Sequence, residues 1–198
     1  TASYVDDNMR SIAAAIESKQ LLFLCEMGLD PGIDHMSAMA IIDEIHEKGG
    51  KITSFKSHCG GLIAPESDNN PWHYKISWNP RNIILAGKAG AIYLEKGATV
   101  TKNYPEIFDQ APIVQLPGIG DLAYYPNRNS LSYIDTYHLH GVNNFVRTTL
   151  RYPAFCTGWN AIVQLDLTNE TEIKLPPNTT VKDWFNSHIQ QNGLERIL

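Results

Sequence analysis

Apolar residues recur along this chain with two distinct periods. From Asn8 to Lys19, Met9, Ile12, Ala13 and Ile16 share one face at helical spacing, and Asp6 or Asp7 stands where a cap belongs. The continuous apolar run Leu21 to Cys25 predicts a buried strand. Helical spacing returns from Asp34 to Lys48, with Met36, Met39, Ile42 and Ile45 on the apolar face, and Gly49-Gly50 predicts its end. Lys51 to Lys56 then reads as a strand. Strand, helix and strand in this order predict βαβ connections and some parallel sheet.

Beyond this point the pattern changes. Ser57 to Trp78 is a long polar loop with embedded aromatics, a length that compact domains keep for function or leave disordered. Asn79 and Pro80 supply a cap and a first helical position. Ala91–Glu95, Ala98–Lys102, Ile113–Leu116 and Leu122–Tyr125 are short β-like runs divided by Gly or Pro, which predict hairpins and an antiparallel portion. Ser130 to His140 reads as a helix. In Asn144 to Tyr152, Phe145, Arg147, Thr149 and Arg151 alternate with Val146, Thr148, Leu150 and Tyr152, the period of a strand. Phe155 to Leu167 reads as a helix, Leu175 to Pro177 as a linker, and Val181 to Gln191 as a last helix capped by Thr179 or Thr180. No internal repeat or low-complexity tract interrupts the order. The expected fold is α/β, or α+β, with a mixed parallel and antiparallel sheet and helices mainly on one face.

One place in this plan invites chemistry. In Cys25-Glu26-Met27-Gly28-Leu29-Asp30-Pro31-Gly32-Ile33-Asp34-His35-Met36, a turn rich in Gly, Pro and Asp separates the apolar run from the helix. A loop at the carboxyl end of a strand, facing a helix amino-terminus, is where α/β proteins bind ligands. The N–H groups of a first helical turn attract anions. Gly28 and Gly32 permit close backbone approach, and Pro31 stiffens the loop.

Composition narrows the classes. The 198 residues are 43% hydrophobic, enough for a real core and ordinary for one large domain. A net charge of −5 argues against bulk binding to nucleic acid or an anionic membrane, while leaving room for a local basic pocket. No apolar stretch approaches a membrane span, and Thr1-Ala2-Ser3-Tyr4-Val5-Asp6-Asp7 lacks the basic and apolar regions of a signal peptide. Cys25, Cys59 and Cys156 are too few and scattered for a disulfide framework, so a reducing cytoplasm is expected.

Spacing speaks against other chemistries. Cys59 beside His58 is a poor hydrolase pair, because neighbours in an extended segment point opposite ways. His138-x-His140 on a helix would face two sides, with no Cys or acidic partners at ligand spacing, so no metal is expected. Gly118-Ile119-Gly120 has the first two glycines of a dinucleotide-binding turn, but Asp121-Leu122-Ala123-Tyr124 follows with no amphipathic helix.

Four ordered segments carry a resemblance: Cys25 to Met36; Ser57-His58-Cys59-Gly60-Gly61 through Trp78; Tyr125-Pro126-Asn127-Arg128-Asn129-Ser130; and Thr149-Leu150-Arg151-Tyr152-Pro153. Together they closely resemble the saccharopine dehydrogenase family in its glutamate-forming branch, from Thr1 to about Leu167. Members bind NADP or NAD on an amino-terminal Rossmann domain. The resemblance therefore implies a fragment: residues 1–20 end the Rossmann crossover, 21–175 form the substrate-binding domain, and 176–198 are a linker and the start of a helical region. It implies Tyr4, Asp30 and Cys59 near the reacting carbon. It implies Arg128, Asn127, Thr149, Arg151 and Gly60 as substrate-binding residues, and Gly28, Leu29, Pro31 and Gly32 as lining the cofactor.

Those residue types suit the substrate class. Saccharopine joins glutamate and lysine through a secondary amine and carries three carboxylates. Arginine grips a carboxylate with a planar fork, and Thr149 shares a strand face with Arg151. Asp30 can bind an ammonium or secondary amine. The expected partners are saccharopine or another amino acid, the missing Rossmann domain and a second copy in a homodimer, with neither nucleic acid nor membrane. Two alternatives stand beside this: a dimerisation or binding module without activity, and a carboxynorspermidine-type (polyamine) reductive-amination relative. The paired anchors Arg128 and Arg151 favour saccharopine over the latter, whose substrates carry fewer carboxylates.

Overall fold

A computed structural model describes residues 1–77 and 79–197. Trp78, the end of the expected polar loop, lies outside the described residues. In chain order the elements are α1 (Asp7–Ser11), α2 (Ala13–Ser18), α3 (Ile33–Glu47), β1 (Ser54–Cys59), α4 (Arg81–Leu85), β2 (Ala91–Glu95), β3 (Ala98–Lys102), β4 (Ile113–Leu116), β5 (Gly120–Pro126), β6 (Arg128–Asn129), α5 (Tyr133–Thr136), β7 (Asn144–Arg151), α6 (Pro153–Gln164) and α7 (Val181–Gln191). The strands follow the order β3-β2-β7-β5-β4, with β1 on β7 and β6 on β2. The pairs β2–β7, β4–β5 and β5–β7 are antiparallel, whereas β6 runs parallel to β2 at Ala91 and Ile92. The sheet is thus mixed, but its parallel part does not come from the expected βαβ unit.

The reason lies in Leu21 to Cys25, which forms no strand. Leu21, Leu22, Phe23 and Leu24 are all more than half exposed. An apolar run becomes a strand only beside another backbone. Here the neighbouring backbone is the terminal Thr1 to Ser3, which takes Glu26 N–H on Ser3 O and Met27 N–H on Thr1 O at 3.0 Å each. That contact is too short for a ladder. The first expected helix also breaks in two at Ile12, with Asp6 Oδ1 accepting from Met9 N–H at 2.8 Å as the cap. The helix expected over Ser130 to His140 shrinks to α5.

The chain divides into two compact units. The first comprises Thr1–Cys59, Tyr93–Thr99 and Ser130–Arg147. Its core is Ile42 of α3 with Tyr137, Leu139, Val142 and Phe145, packed against Phe55 of β1, Ala38 and Met39. Phe55 stacks on Phe145 with ring centroids 4.8 Å apart, an aromatic pair worth about 0.5–1.5 kcal/mol beyond its burial. Met36, expected inward, is 55% exposed. Gly49 has φ +73°, and Gly49 N–H and Gly50 N–H bond His46 O and Ile45 O at 2.9 and 2.8 Å. Those two bonds close α3 with the Schellman pattern that Gly49-Gly50 predicts.

The second unit comprises Gly60–Ile92, Val100–Asn129 and Thr148–Leu198, described here to Ile197. Here α6 packs on β5, burying Phe155, Cys156, Trp159 and Val163 near Leu122, Ala123 and Tyr125. Gly118 and Gly120 form the turn of the β4–β5 hairpin, which accounts for glycines that no cofactor motif explains. Thr180 and Asp183 cap α7 reciprocally.

The long polar loop is neither disordered nor featureless. Three consecutive rings pin it within the second unit. Trp72 lies on Gly158, His73 sits 5.1 Å from the Tyr152 ring, and Tyr74 sits 4.7 Å from Phe155. Asn70 braces the turn, accepting from Trp72 N–H at 3.1 Å and donating to Tyr74 O at 3.0 Å. A Cβ added at Gly158 would stand 2.5 Å from the Trp72 ring, so only glycine admits the indole there. Gly158→Ala is expected to lower stability by about 1–3 kcal/mol through overpacking. Urea unfolding would measure that loss, and Trp72 fluorescence should shift red as the ring leaves the helix. Wild-type emission and an unchanged midpoint would show that the ring does not need the glycine.

Candidate active site

In the first unit an arginine organises the turn between the apolar run and α3. Arg147 is on β7, and its side chain is 3% exposed. Its Nη2 donates to Asp30 Oδ1 at 2.7 Å and to Asp34 Oδ2 at 2.6 Å. Its guanidinium lies 4.5 Å from the centroid of Tyr133 and 5.9 Å from that of Tyr4, so aromatic faces complete the enclosure. The Arg147 N–H donates to Ser130 Oγ at 3.0 Å, and Ser130 is itself fully buried. Burial works against the guanidinium charge, but Tyr4, Asp34 and Asp30 outweigh it and raise the pKa. A charge buried this deeply persists only because it is paired and hydrogen-bonded.

The turn is built around the two carboxylates. Asp34 Oδ1 accepts from Gly32 N–H at 2.8 Å. Gly28 N–H donates to Pro31 O at 2.9 Å, while Ile33 and Asp34 N–H donate to Gly28 O and Leu29 O at 2.9 and 3.0 Å. A Cβ at Gly32 would stand 2.1 Å from Gly28 O, and φ there is +149°, so the turn closes only on glycine. The Asp30–Pro31 bond is cis. Sequence spacing suggests a helix amino-terminus open to anions. Instead, Gly32, Ile33 and Asp34 N–H are taken by the loop's own carbonyls and the Asp34 carboxylate.

Tyr4 and Asp30 are brought together. The Tyr4 hydroxyl donates to Asp30 Oδ1 at 2.8 Å. Burial and the Asp30 charge raise the Tyr4 pKa far above its ordinary value, against Arg147. Tyr4 is therefore a neutral hydrogen-bond donor at physiological pH and not a base. His35 extends the cluster: its ring stacks on Tyr133 at 4.7 Å, and its Nδ1 meets the Tyr137 hydroxyl at 2.5 Å. Burial raises the Tyr137 pKa as well, so that hydroxyl keeps its proton. On the other side of the ring, 3.3 Å from Glu26 Oε2, lies Nε2. That atom is sealed from solvent without a well-directed hydrogen bond. Asp30 and Asp34 thus meet one guanidinium while Glu26 lies beside His35, and the surplus of carboxylates suits a cationic ligand.

The remaining candidates are distributed as follows. Leu29 is 56% exposed beside Asp30, and Pro31 is buried. Cys59 ends β1, half-buried and outside any disulfide. Beside it, burial and then Lys56 lower the His58 pKa. Gly60, Asn127, Arg128, Thr149 and Arg151 belong to the second unit. A Cβ at Gly60 would stand 2.4 Å from Leu150 O, so the backbones touch there. Thr149 faces Tyr125 across β5–β7 and hydrogen-bonds its side chain. Arg151 Nη1 donates to Leu150 O at 2.8 Å, and its guanidinium lies 5.5 Å from the Tyr74 ring, the last ring of the pinned loop. Arg128 is exposed on β6 with φ +53°.

Arg147, Asp34, His35, Glu26, Tyr133 and Tyr137 were not singled out by sequence. One signal was present. Arg147 shares the phase of Phe145 on an alternating strand, and a charge on the apolar phase of a strand needs a buried partner.

Residues 28–195 match the family described as saccharopine dehydrogenase C-terminal domain. Among curated proteins, saccharopine dehydrogenase [NADP(+), L-glutamate-forming] of Pyricularia oryzae is 39% identical over 173 residues, 87% of this chain and 38% of that protein. Its namesake from Saccharomyces cerevisiae is 39% identical over 168 residues, 84% of this chain and 37% of that protein. Alpha-aminoadipic semialdehyde synthase of Arabidopsis thaliana is 42% identical over 158 residues, 78% of this chain and 15% of that protein. Among solved structures, the apo histidine-tagged saccharopine dehydrogenase (L-Glu forming) from Saccharomyces cerevisiae superposes with a TM-score of 0.75 at 37% identity, covering 85% of this chain and 38% of that one. The chain spans less than two fifths of the length of these fungal relatives.

Cys156, buried on α6, is a structural cysteine. Burial pushes the Cys156 thiol up to about 11, with Arg151 opposing. The thiolate is the reactive form, and it is scarce well below that value. At pH 8 the folded chain is expected to leave Cys156 unalkylated by iodoacetamide, with labelling only near pH 11 or on unfolding. Peptide mapping by mass spectrometry would decide, and rapid labelling of Cys156 at pH 8 would contradict the assignment.

Proposed function

Because the chain belongs to the saccharopine dehydrogenase C-terminal domain family, we propose that it is the substrate-binding part of an NADP- or NAD-dependent saccharopine dehydrogenase of the L-glutamate-forming kind. The reaction interconverts saccharopine with glutamate and 2-aminoadipate 6-semialdehyde. The bound nicotinamide supplies or takes up the hydride at the carbon next to the secondary amine. In this reading residues 1–20 finish a preceding Rossmann domain, 21–175 bind substrate, and 176–198 begin a helical region. The setting is the reducing cytoplasm, and the whole enzyme is a homodimer.

The observation that carries the reading is the meeting of Tyr4 and Asp30 at 2.8 Å over the turn that Gly28 and Gly32 close. A neutral hydroxyl and a carboxylate, held in a cluster with surplus negative charge, suit an amine nitrogen that changes its protonation. Tyr4 donates to the Asp30 carboxylate, and Asp30 holds the amine. Cys59 stands as a supporting group, with Gly60 allowing close backbone approach beside it. Arg128 and Asn127, with Thr149 and Arg151, supply charge and hydroxyl contacts for the carboxylates. The turn fits the cofactor at one end only. Gly32, Ile33 and Asp34 N–H are already bonded, which leaves none of these donors for its phosphates. The exposed Leu29, flanked by Gly28, Pro31 and Gly32, offers an apolar edge suited to a nicotinamide ring.

Saccharopine-dependent reduction of NADP and of NAD, followed by nicotinamide absorbance, tests this. The chain alone is expected to be silent, and a longer protein that includes a preceding cofactor domain is expected to be active. Silence in both would sink the dehydrogenase reading. In the active protein Arg128→Ala is expected to raise the KM for saccharopine about ten- to hundred-fold, the loss of a charge-assisted contact. Unchanged kinetics would remove Arg128 from the site.

A further inference from the structure

Within the cluster the two aspartates are used differently. Asp34 is spent on the protein itself, with Oδ1 on Gly32 N–H and Oδ2 on Arg147 Nη2. Its side chain is 4% exposed, so nothing from outside reaches it. Asp30 is half spent. Its Oδ1 accepts from both the Tyr4 hydroxyl and Arg147 Nη2. Among the described residues its Oδ2 accepts no hydrogen bond, and that oxygen is not sealed from solvent. Arg147 in turn is fixed from three directions: Nη2 by the two carboxylates, its guanidinium face by Tyr133, and its backbone by Ser130 Oγ. With 3% of its side chain exposed, Arg147 has no route to a ligand.

We propose that Arg147 and Asp34 are positioning residues that clamp Asp30 through Oδ1 and present Oδ2 as the acceptor for an N–H of the ligand's amine. The inference rests on the saccharopine reading of the site and adds to it the orientation of the acceptor and the residues that set it. The clamp works by geometry. Asp34 ties Arg147 to the closed turn through Gly32, Arg147 donates to Asp30 Oδ1, and Tyr4 donates to the same oxygen. One oxygen is thereby committed, and the carboxylate cannot turn to chelate Arg147 with both. Arginine suits the place because Nη2 holds its two N–H groups in one fixed plane, one toward each carboxylate, whereas a lysine ammonium rotates freely.

The test uses the active protein that includes this chain, with saccharopine as the probe. Asp34→Asn and Arg147→Lys are expected to raise the KM for saccharopine about ten- to hundred-fold while leaving the KM for NADP within about twofold, since a misplaced acceptor weakens amine binding alone. Arg147→Met is harsher, because it strands two buried carboxylates; the two milder variants carry the test if it fails to fold. Asp30→Asn combined with Arg147→Lys should be no worse than Asp30→Asn alone, because Arg147 acts only through Asp30. A merely structural role would instead give additive losses and shift both Michaelis constants. Wild-type KM in both milder variants, with saccharopine turnover intact, overturns the positioning role only. Additive losses in the double variant overturn it too, by placing Arg147 on the ligand. A wild-type protein silent toward saccharopine overturns the functional reading and this inference with it.

Discussion

A buried guanidinium has to be neutralised, and much of the first unit follows from how that is done. Arg147 on β7 sits where solvent supplies almost nothing, so its charge persists only because Asp30 and Asp34 meet it at 2.7 and 2.6 Å. Two carboxylates four residues apart must then approach the same nitrogen. That requirement fixes the turn. Pro31 and Gly32 reverse the chain between them, Gly32 packs against Gly28, and α3 begins at Ile33 with Asp34 already in its first turn. Tyr133 covers the guanidinium face, and Ser130 holds the strand beneath it. The ion cluster joins β7 to α3 and the turn before it, across more than a hundred residues of sequence.

Such a cluster is a poor source of stability. Desolvating three charges costs several kcal/mol each, and the pairing at best offsets it. What it supplies is a carboxylate with a defined orientation next to a hydroxyl that keeps its proton. Tyr4 and Tyr137 both have raised pKa values, first through burial, so neither competes with Asp30 for the role of anion. The excess of carboxylates over guanidinium then gives the turn a local sign opposite to what an amino-terminal helix end would give. The sequence order of strand, turn and helix suggests an anion site; the hydrogen bonds take up the N–H groups that such a site needs.

The difference between what sequence makes legible and what it hides is physical. The Schellman end of α3 at Gly49-Gly50, the Thr180 cap of α7, the alternation of β7 and the short β runs after Gly90 are local rules, and the observed elements follow them closely. Leu21 to Cys25 fails because a strand is a property of two backbones, and sequence shows only one. The helix expected at Ser130 to His140 fails because its apolar residues Ile134, Tyr137 and Leu139 serve the core from an irregular path. Within the candidate site, Tyr4 and Asp30 are suggested by family resemblance, whereas Arg147 and Asp34 are not. Their role exists only after folding, when the strand brings a charge to the start of a distant helix. Gly28 and Gly32 stand out in the sequence by their conformational freedom, and the structure uses it for the turn's own closure.

The seat of Trp72 on Gly158 constrains the history of the chain as well as its shape. The two positions lie in different elements, yet the indole occupies the volume that any side chain at 158 would claim. Neither residue is free to drift alone. A lineage that enlarges position 158 must already have shrunk position 72, and one that shrinks position 72 first leaves an empty groove on α6 until a larger residue fills it. The two positions are therefore coupled in stability, because the effect of a change at one depends on the residue at the other.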